Sequence, residues 1–452
     1  MLTRTIAIQT LDKTGETVML SGWVERVRSH GKIAFFDLRD RSGVLQIVAT
    51  TPETVSSIEN LSVQSVVKLT GIVKERGERY INPNIPLGKV ELELTSPVEI
   101  VSKAEEMPFD MGGQELNLQL PTLLDFRALT LRHQQIAPIF KVQEVVIDTF
   151  RKSLKAKDFT EFQSPVIIPQ AAEGGSEVFE VKYFDHKAYL AQSPQFYKQI
   201  LVGVYERVFA VNKTLRAEPS VTTRHLAEVT TLDAEFGFIN SWEELMDMAE
   251  YVITTILDTV DKESKSILEL YKTTIPKIGS KIPRIKLREA QEIIKKRTGR
   301  DVTHEPDLSP EDEKEICKWA EEEKDSELVF VTHYPVSKRP FYTYEDPEDK
   351  GYTLSFDLIG RGTEWMTGGQ RINDYEALVN AAKGREIDLE KSELYLQAFR
   401  FGMPPEGGFS FGSERITMHI LGLSNVREAS LFPRDMERID ERLSTIEQKI
   451  KK

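Results

Sequence analysis

RVFAVNKTLRAEPSVTTRHLAEVTTLDAE, residues 207–235, sets two apolar runs on either side of a polar stretch rich in Arg and Thr. RVFAVNKTLRAE (207–218) and VTTLDAEFGFI (229–239) read as adjacent antiparallel strands. YTLSFDLIG (352–360) and EWMTGGQRI (364–372) have the same character. Around them strands and helices mix without regular βαβ alternation. The expectation is an α+β domain over residues 134–452, built on a large, mainly antiparallel sheet flanked by helices. Working back from the opening stretch, a helix is predicted from Gln134 to Lys157, with Ile136, Ile139, Phe140, Val142, Val146, Phe150 and Leu154 as its apolar face. Working forward, residues 280–325 are helical and polar and read as an insert, and ERLSTIEQKIKK (441–452) reads as a charged helix end.

The first 102 residues have another texture. ETVMLSGWVERV, IAFFDLRD, GVLQIVAT, VVKLTGIVK and KVELELTSPVEIV are short apolar strands between turns, and PETVSSIENL between the third and fourth reads as a short helix. Five strands with a helix at that place predict a small Greek-key β-barrel of the OB type. Such barrels bind single-stranded nucleic acid through aromatic stacking and base-edge hydrogen bonds, although many small barrels share the strand count. Residues 103–133, polar and ending in LLDFRALTLRH, are read as a hinge.

Composition sets outer bounds. A chain of 452 residues has material for two or three domains, and 40% hydrophobic with 29% charged residues is the balance of an ordinary globular protein. No segment approaches the roughly 20 apolar residues of a membrane-spanning helix, and MLTRTIAIQT does not open a secretory signal. The single cysteine, Cys317, excludes an internal disulfide and a cysteine-bound zinc. A cytoplasmic protein is expected. The net charge of -13 argues at first sight against a nucleic-acid partner. Residues 1–102, however, carry 12 Lys/Arg against 12 Asp/Glu, so that segment is neutral and the excess lies in the rest. Charge alone decides nothing about RNA.

The chain has no GxxxxGK[ST] loop, no GxGxxG after a strand, no Ser-His-Asp order and no reactive-cysteine context. It has instead three stretches in order: FTEFQSPVIIP (159–169) after the long helix, the 207–235 strand pair, and GGFSFGSERITMHILGL (407–423), in which SFGSER, a run of the GxGxER kind, opens a helix. Together they resemble the three ordered motifs of the class II aminoacyl-tRNA synthetases, and the resemblance covers nearly the whole chain, barrel included. It implies a six- to seven-stranded antiparallel catalytic sheet and a homodimer formed largely through the first motif. It also implies ATP and Mg2+.

The residues suit that chemistry. Amino-acid activation is an in-line attack of a substrate carboxylate on the α-phosphate of ATP. It calls for positive charge, divalent metal and placement rather than a protein nucleophile. Arg216 is suited to bridge the substrate carboxylate and the α-phosphate bidentately. Arg415 is expected against adenine or the γ-phosphate. The resemblance assigns Glu218, Arg224, His225 and Leu226 to ATP, with Gly412, Ser413, Glu414 and Arg415 as the far wall. By the same resemblance Glu364 and Thr367 are the magnesium positions, Glu364 also facing ATP, and Asp357 supports them.

The amino acid is narrower still. AEGGSEVF (172–179) resembles the mobile loop that closes over aspartate, with Glu173 and Ser176 as contacts. AQSPQFYKQ (191–199) resembles the strand of the aspartate pocket. Gln195 and Asp233 are expected to hold the substrate ammonium, with Thr367 nearby, and Lys198 and Arg371 its side-chain carboxylate. Two cations around one carboxylate favour L-aspartate over neutral asparagine by an amount on the order of several kcal/mol. Relatives that load asparagine keep an arginine like Arg371 and typically lack a lysine like Lys198; REASLFPRD (427–435) is also of the aspartyl type. The body resembles the short archaeal and eukaryotic form. The barrel, with HGKIAFFDLRDRSGVLQ and INPNIPLGKVE, resembles the bacterial anticodon-binding domain.

In that barrel Phe35 is expected to stack on the central anticodon base and Gln46 to bond its edge. With Phe35 and Phe36 in a row, one points in and one out, and the sequence leaves open which. A histidine in the place of His30 goes, in bacterial relatives, with charging of both tRNA-Asp and tRNA-Asn. Four positions depart from the family pattern: Glu406 stands where histidine is usual, Ser410 and Phe411 replace Gly and Leu, and Val229 replaces an aromatic against adenine. An asparaginyl-tRNA synthetase, a non-catalytic RNA-binding paralogue and a tRNA-independent amide ligase stand as rivals. Lys198 and LFPRD argue against the first, Arg216, Glu364 and Arg415 against the second, and the barrel against the third.

Overall fold

The structure is a computed structural model. It describes the chain except residues 1–2, 60, 82–86, 114, 171–177, 220–221 and 451–452 and the side chains of residues 30, 449 and 450. The chain divides into two units, Met1–Asn117 and Leu118–Lys452. The boundary falls within the stretch read as a hinge.

The first unit consists of β1 (Thr17–His30), β2 (Ile33–Asp40), β3 (Gly43–Ala49), α1 (Pro52–Glu59), β4 (Val66–Glu75), β5 (Val90–Leu94) and β6 (Glu99–Ser102). Strand order is β1-β2-β3-β5-β4, with β1–β4 pairing to close the barrel and β6 added along β4. β3 and β5 run parallel and the other pairs antiparallel, which is the closed OB arrangement. β2 shows why these residues make a barrel wall. Ala34, Phe36 and Leu38 are buried on one face, while Phe35 and Asp37 lie half-buried on the other. The open choice between the two phenylalanines is thereby decided: Phe36 is core and Phe35 faces outward.

The second unit opens with two short helices, α2 (Leu120–Asp125) and α3 (Arg127–Thr130), then α4 (Ala137–Lys155). Pro138 in the first turn of α4 fits a position whose N–H has no partner in any case. Ile139, Val142, Val146, Phe150 and Leu154 recur at helical spacing on its buried face. The strands that follow are β7 (Thr160–Glu161), β8 (Ile167–Ile168), β9 (Glu180–Tyr183) and β10 (His186–Leu190). Next come α5 (Gln195–Tyr205), β11 (Arg207–Leu215), β12 (Glu228–Gly237), α6 (Glu243–Glu263) and α7 (Lys265–Leu270). The segment read as an insert supplies β13 (Arg284–Lys286), α8 (Leu287–Thr298) and α9 (Pro310–Lys324). The chain ends with β14 (Leu328–Thr332), β15 (Ser355–Gly360), β16 (Thr363–Gln370), α10 (Tyr375–Gly384), α11 (Glu393–Arg400), β17 (Glu406–Gly412), α12 (Ser413–Leu421) and α13 (Leu443–Ile450).

Eight strands form the main sheet in the order β13-β14-β15-β16-β17-β12-β11-β7. The sheet is mainly antiparallel, as expected, and two short edge strands bring the count to eight rather than six to seven. The six central strands are antiparallel, and each edge carries a two- or three-residue strand that pairs parallel. Period-two alternation gives the sheet two different faces. Phe209, Leu232, Ala234, Phe236, Phe330, Phe356, Leu358, Phe409 and Phe411 join α4, α6 and α12 in the largest apolar core. The opposite face is covered by a second cluster at α5, α10 and α11 and a third at α8 and α9. Ile316, Trp319 and Ala320 of α9 pack there with Val329, Val331 and Ile359, so the polar 280–325 segment has an apolar side against the sheet.

Candidate active site

The strand register brings the polar residues of the second face into rows. Asp357 pairs with Thr367, Thr367 with Ser410, and Ser410 with Asp233 across β15, β16, β17 and β12. One step along lies the row Ser355, Gly369, Gly408, Glu235. Leu232, Ala234 and Phe236 point into the main core, so Asp233 and Glu235 point the other way. Glu364 needs one more device. Strict alternation would put Glu364 and Thr367, three residues apart, on opposite faces. A β-bulge, with Leu358 paired to Met366 but Ile359 to Glu364, turns Glu364 onto the face of Asp357 and Thr367.

At the residues expected to take the amino acid, α5 lays Gln195, Lys198, Gln199 and Val202 on one buried helical face. Lys198 Nζ lies 3.0 Å from Glu235 Oε2 and 3.3 Å from Asp233 Oδ1, with all three side chains at most 1% accessible. Arg371 donates from Nε to Glu235 Oε1 at 2.8 Å and from Nη2 to the Gly408 carbonyl at 3.3 Å. Glu235 therefore joins the two cations. Burial works to raise its carboxyl, and Arg371 and Lys198 overcome that and hold it below its usual value. Gln195 Nε2 donates to Gln199 Oε1 at 3.0 Å and to Glu235 Oε1 at 3.4 Å. Gln199 Nε2 donates to Glu406 Oε1 at 2.6 Å, and the Tyr395 hydroxyl donates to Gln199 Oε1 at 3.1 Å. Gly408 makes room for this set: a Cβ there would lie 2.0 Å from the Ala234 carbonyl oxygen and 2.2 Å from Glu235 Oε2.

At the phosphate end, Arg216 is half-exposed, with Nη1 3.6 Å from Glu218 Oε1. His225 Nε2 lies 3.5 Å from Glu218 Oε2, and its Nδ1 is 2.6 Å from the Thr222 hydroxyl. Arg224 donates from Nη1 to Glu313 Oε2 on α9 at 2.9 Å. Arg415 Nη1 lies 3.4 Å from Glu364 Oε1. Partial burial in the cleft and the neighbouring Asp357 charge push the Glu364 carboxyl up. Arg339, over the Tyr334 ring at 3.9 Å, donates to Asp357 Oδ2 at 2.7 Å and to the Thr367 hydroxyl at 3.3 Å. Asp357 Oδ1 is buried without a donor among the described residues. Among the described residues no three His, Cys, Asp or Glu side chains form a ready-made metal cage. The set nonetheless fits magnesium, which takes one or two carboxylates and completes its shell with water and phosphate oxygens. An orphaned carboxylate oxygen beside a carboxyl raised by a like charge is a place that a divalent cation would relieve.

Two of the residues expected at ATP have buried side chains. Leu226 packs its side chain into the main core. Glu414 is buried and accepts from the Thr230 N–H at 3.1 Å and from the Ser413 hydroxyl at 3.1 Å, where burial raises its carboxyl. Gly412 and Ser413 form the turn into α12, and Val229 lies beside Gly412. Glu173 and Ser176 lie outside the described residues, as does the side chain of His30. On the barrel, Asp37 pairs with Gln46 and Phe35 with Val48, so Phe35 and Gln46 share the outer face. Arg28 bonds Asp37 on that face at 3.1 Å, and Gln46 Nε2 donates to Glu91 Oε2 at 3.1 Å. Glu235, Gln199, Glu313 and Arg339 were not singled out from the sequence. Gln199 had a signal, since it shares a helical face with Gln195 and Lys198. Glu235 had one too, being two residues from Asp233 on the same strand. Arg339 and Glu313 had none.

Comparison with known proteins agrees with this geometry. Residues 119–436 match the model of tRNA synthetases class II (D, K and N), and residues 18–97 match the OB-fold nucleic acid binding domain. The aspartate–tRNA(Asp/Asn) ligase of Thermus thermophilus is 41% identical over 426 residues, 94% of this chain and 97% of that protein. The aspartate–tRNA(Asp) ligase of Pyrococcus abyssi is 36% identical over 436 residues, 95% of this chain and 97% of that protein. The aspartyl-tRNA synthetase structure of Entamoeba histolytica superposes with a TM-score of 0.85 at 29% identity, covering 97% of this chain and 93% of that one. With the catalytic model matched over most of the length and relatives aligned nearly end to end, the chain belongs to the class II tRNA synthetases of the aspartate, lysine and asparagine group, in the aspartate–tRNA ligase family.

Proposed function

We propose that the protein activates L-aspartate with ATP and transfers the aspartyl group from the adenylate to tRNA-Asp. The observation that carries the reading is the pair of buried cations, Lys198 and Arg371, held side by side by Glu235. Their remaining N–H groups are the partners for the substrate's side-chain carboxylate, and Gln195 and Asp233 receive its ammonium. The α-carboxylate then attacks the α-phosphorus in line as the bond to pyrophosphate breaks. Arg216, half-exposed and with one ion pair among the described residues, at 3.6 Å to Glu218, is placed to swing onto both reacting groups. Arg224, His225 and Arg415 receive the outer phosphates and the base. Magnesium, when bound, neutralises phosphate charge, and Glu364, Thr367 and Asp357 are the residues that would hold it.

On the barrel, the Phe35–Gln46 face is the proposed anticodon platform, with Arg28 at its edge. The His30 reading extends charging to tRNA-Asn. The names of the relatives divide on this point, tRNA(Asp/Asn) for Thermus thermophilus and tRNA(Asp) for Pyrococcus abyssi. A homodimer belongs to the proposal. Val166 and Ile167, 40% and 46% accessible, are apolar residues that pairing through the first motif would cover. Among the described residues no helix is long and apolar enough to cross a membrane, and a cytoplasmic location is proposed.

Aminoacylation with radiolabelled aspartate and, separately, asparagine, on tRNA-Asp and tRNA-Asn transcripts, tests the whole reading. Aspartate on tRNA-Asp is the expected product. Aspartate on both tRNAs supports the His30 reading, and aspartate on tRNA-Asp alone removes it. Asparagine on tRNA-Asn would overturn the Lys198 argument.

A further inference from the structure

Near Lys198, Glu235 and Arg371 stands a carboxyl that has no ion pair among the described residues. Glu406, the first residue of β17, is completely inaccessible. Its Oε1 accepts from Gln199, and its Oε2 is buried without a donor among the described residues. The groups that face it come from four elements. From α5 there is Gln199, with Lys198 beside it; from β12, Glu235; from the residue after β16, Arg371; and from α11, Tyr395. Arg371 directs its guanidinium to Glu235 and the Gly408 carbonyl. The neighbour left for Glu406 is the Glu235 carboxylate, another acceptor. A buried carboxyl oxygen left without a donor, beside a second carboxylate in a dry site, calls for a proton.

A charge count shows what that proton does. Lys198 and Arg371 contribute two positive charges and Glu235 one negative, and Asp233 is assigned to the substrate ammonium. With Glu406 neutral the side-chain pocket has one positive charge in excess, the complement of an aspartate carboxylate. With Glu406 ionised the excess is zero, the complement of a neutral amide. Resting on the reading of this pocket as an aspartate site, we propose that Glu406 is a specificity-determining residue. Protonated and bridged to Glu235 and Gln199, it preserves the cationic excess at Lys198 and Arg371, and its ionisation removes the preference for aspartate over asparagine. The electrostatics agree: burial and the adjacent Glu235 charge raise the Glu406 carboxyl well above its usual value.

The test is ATP–pyrophosphate exchange by the full chain from about pH 6 to about pH 8.5, with the aspartate KM, the inhibition constant of asparagine and the ATP KM followed together. In the wild type the aspartate KM is expected to climb relative to the asparagine constant, approaching about tenfold per pH unit once Glu406 ionises, while the ATP KM stays level. In Glu406→Gln, whose amide can donate to Glu235 and cannot ionise, the ratio is expected to stay flat. The substrate ammonium titrates alike with both proteins and cancels. If the ratio climbs equally in both, the Glu406 assignment is overturned alone; if the wild type shows no aspartate-dependent exchange, the aspartate pocket is overturned and this inference with it. A measurement on the wild type alone guards against a variant that does not fold. Calorimetry in two buffers of different ionisation heat is expected to show more proton uptake with aspartate than with asparagine at the alkaline end. Equal uptake across the range would also overturn the assignment.

Discussion

Lys198 carries an ammonium into a site 1% accessible to water, where Asp233 and Glu235 both depend on it. Glu235 has Arg371 as a second cation; among the described residues Asp233 has Oδ2 buried without a donor and Lys198 as its one ion pair. Lys198→Met keeps most of the volume and removes the charge. Leaving a buried carboxylate unpaired costs about 3–5 kcal/mol, so the variant's unfolding midpoint in urea is expected to fall accordingly. A midpoint equal to the wild type would mean that Lys198 and Asp233 are not paired in solution. Glu406 predicts the opposite sign. Its folded-state carboxyl is raised, so its contribution to stability is complete below its unfolded value near pH 4.5 and is lost as the pH rises toward its folded one. Glu406→Gln is free of that loss. Its thermal midpoint is expected to gain on the wild type as the pH is raised from about 4.5 to about 7.5. A pH-independent difference between the two would show that Glu406 does not take up a proton on folding. Both residues were visible in the sequence, Lys198 as a pocket cation and Glu406 as a departure from pattern. Their partners and their dryness were not, because a carboxylate and a buried carboxyl are the same letter.

On β17, Gly408 pairs with Glu235 of β12, and a Cβ there would meet the Ala234 carbonyl and the Glu235 carboxylate. Gly408→Ala would force a methyl to 2.0 Å from a backbone oxygen, and the strands must part. Overpacking of this kind costs about 1–3 kcal/mol. The expected outcome is a lower thermal midpoint together with a raised aspartate KM and an unchanged ATP KM, since the strain falls on Glu235 and not on Arg216. An unchanged aspartate KM would show that Glu235 does not order the pocket. Four of the six central strands, β11, β12, β15 and β16, were legible because runs of six to ten residues are long enough to carry a pattern. β7 and β13, of two and three residues, have no period to read, and their pairing depends on what already lies at the sheet edge. The 280–325 segment looked like an insert because α8 and α9 are mostly charged, yet α9 hands Glu313 to Arg224. A narrow apolar stripe is enough to dock such a helix, and composition hides it.

The whole chain is two units with separate apolar cores. That of the barrel is drawn from residues 7–98, and those of the second unit begin at Ile139. Residues 1–117 expressed alone are expected to unfold in one cooperative transition, read by circular dichroism, because the barrel is closed by its own β1–β4 pairing. A chain without a transition would show that the barrel needs residues beyond 117. The sequence by itself determined the barrel, the antiparallel α+β body and the three motifs, because alternation and motif order are local properties of the chain. It also supplied the cations, since an arginine is charged wherever it lies. Only the tertiary structure decided which charge meets which. Arg224 finds Glu313 across 89 residues and Gln199 finds Glu406 across 207. A bulge at Leu358 turns Glu364 to the face of Thr367. The physical reason is that strand order, register and exclusion of water set these pairings and the protons on them, and none of the three is a property of neighbouring residues in the chain.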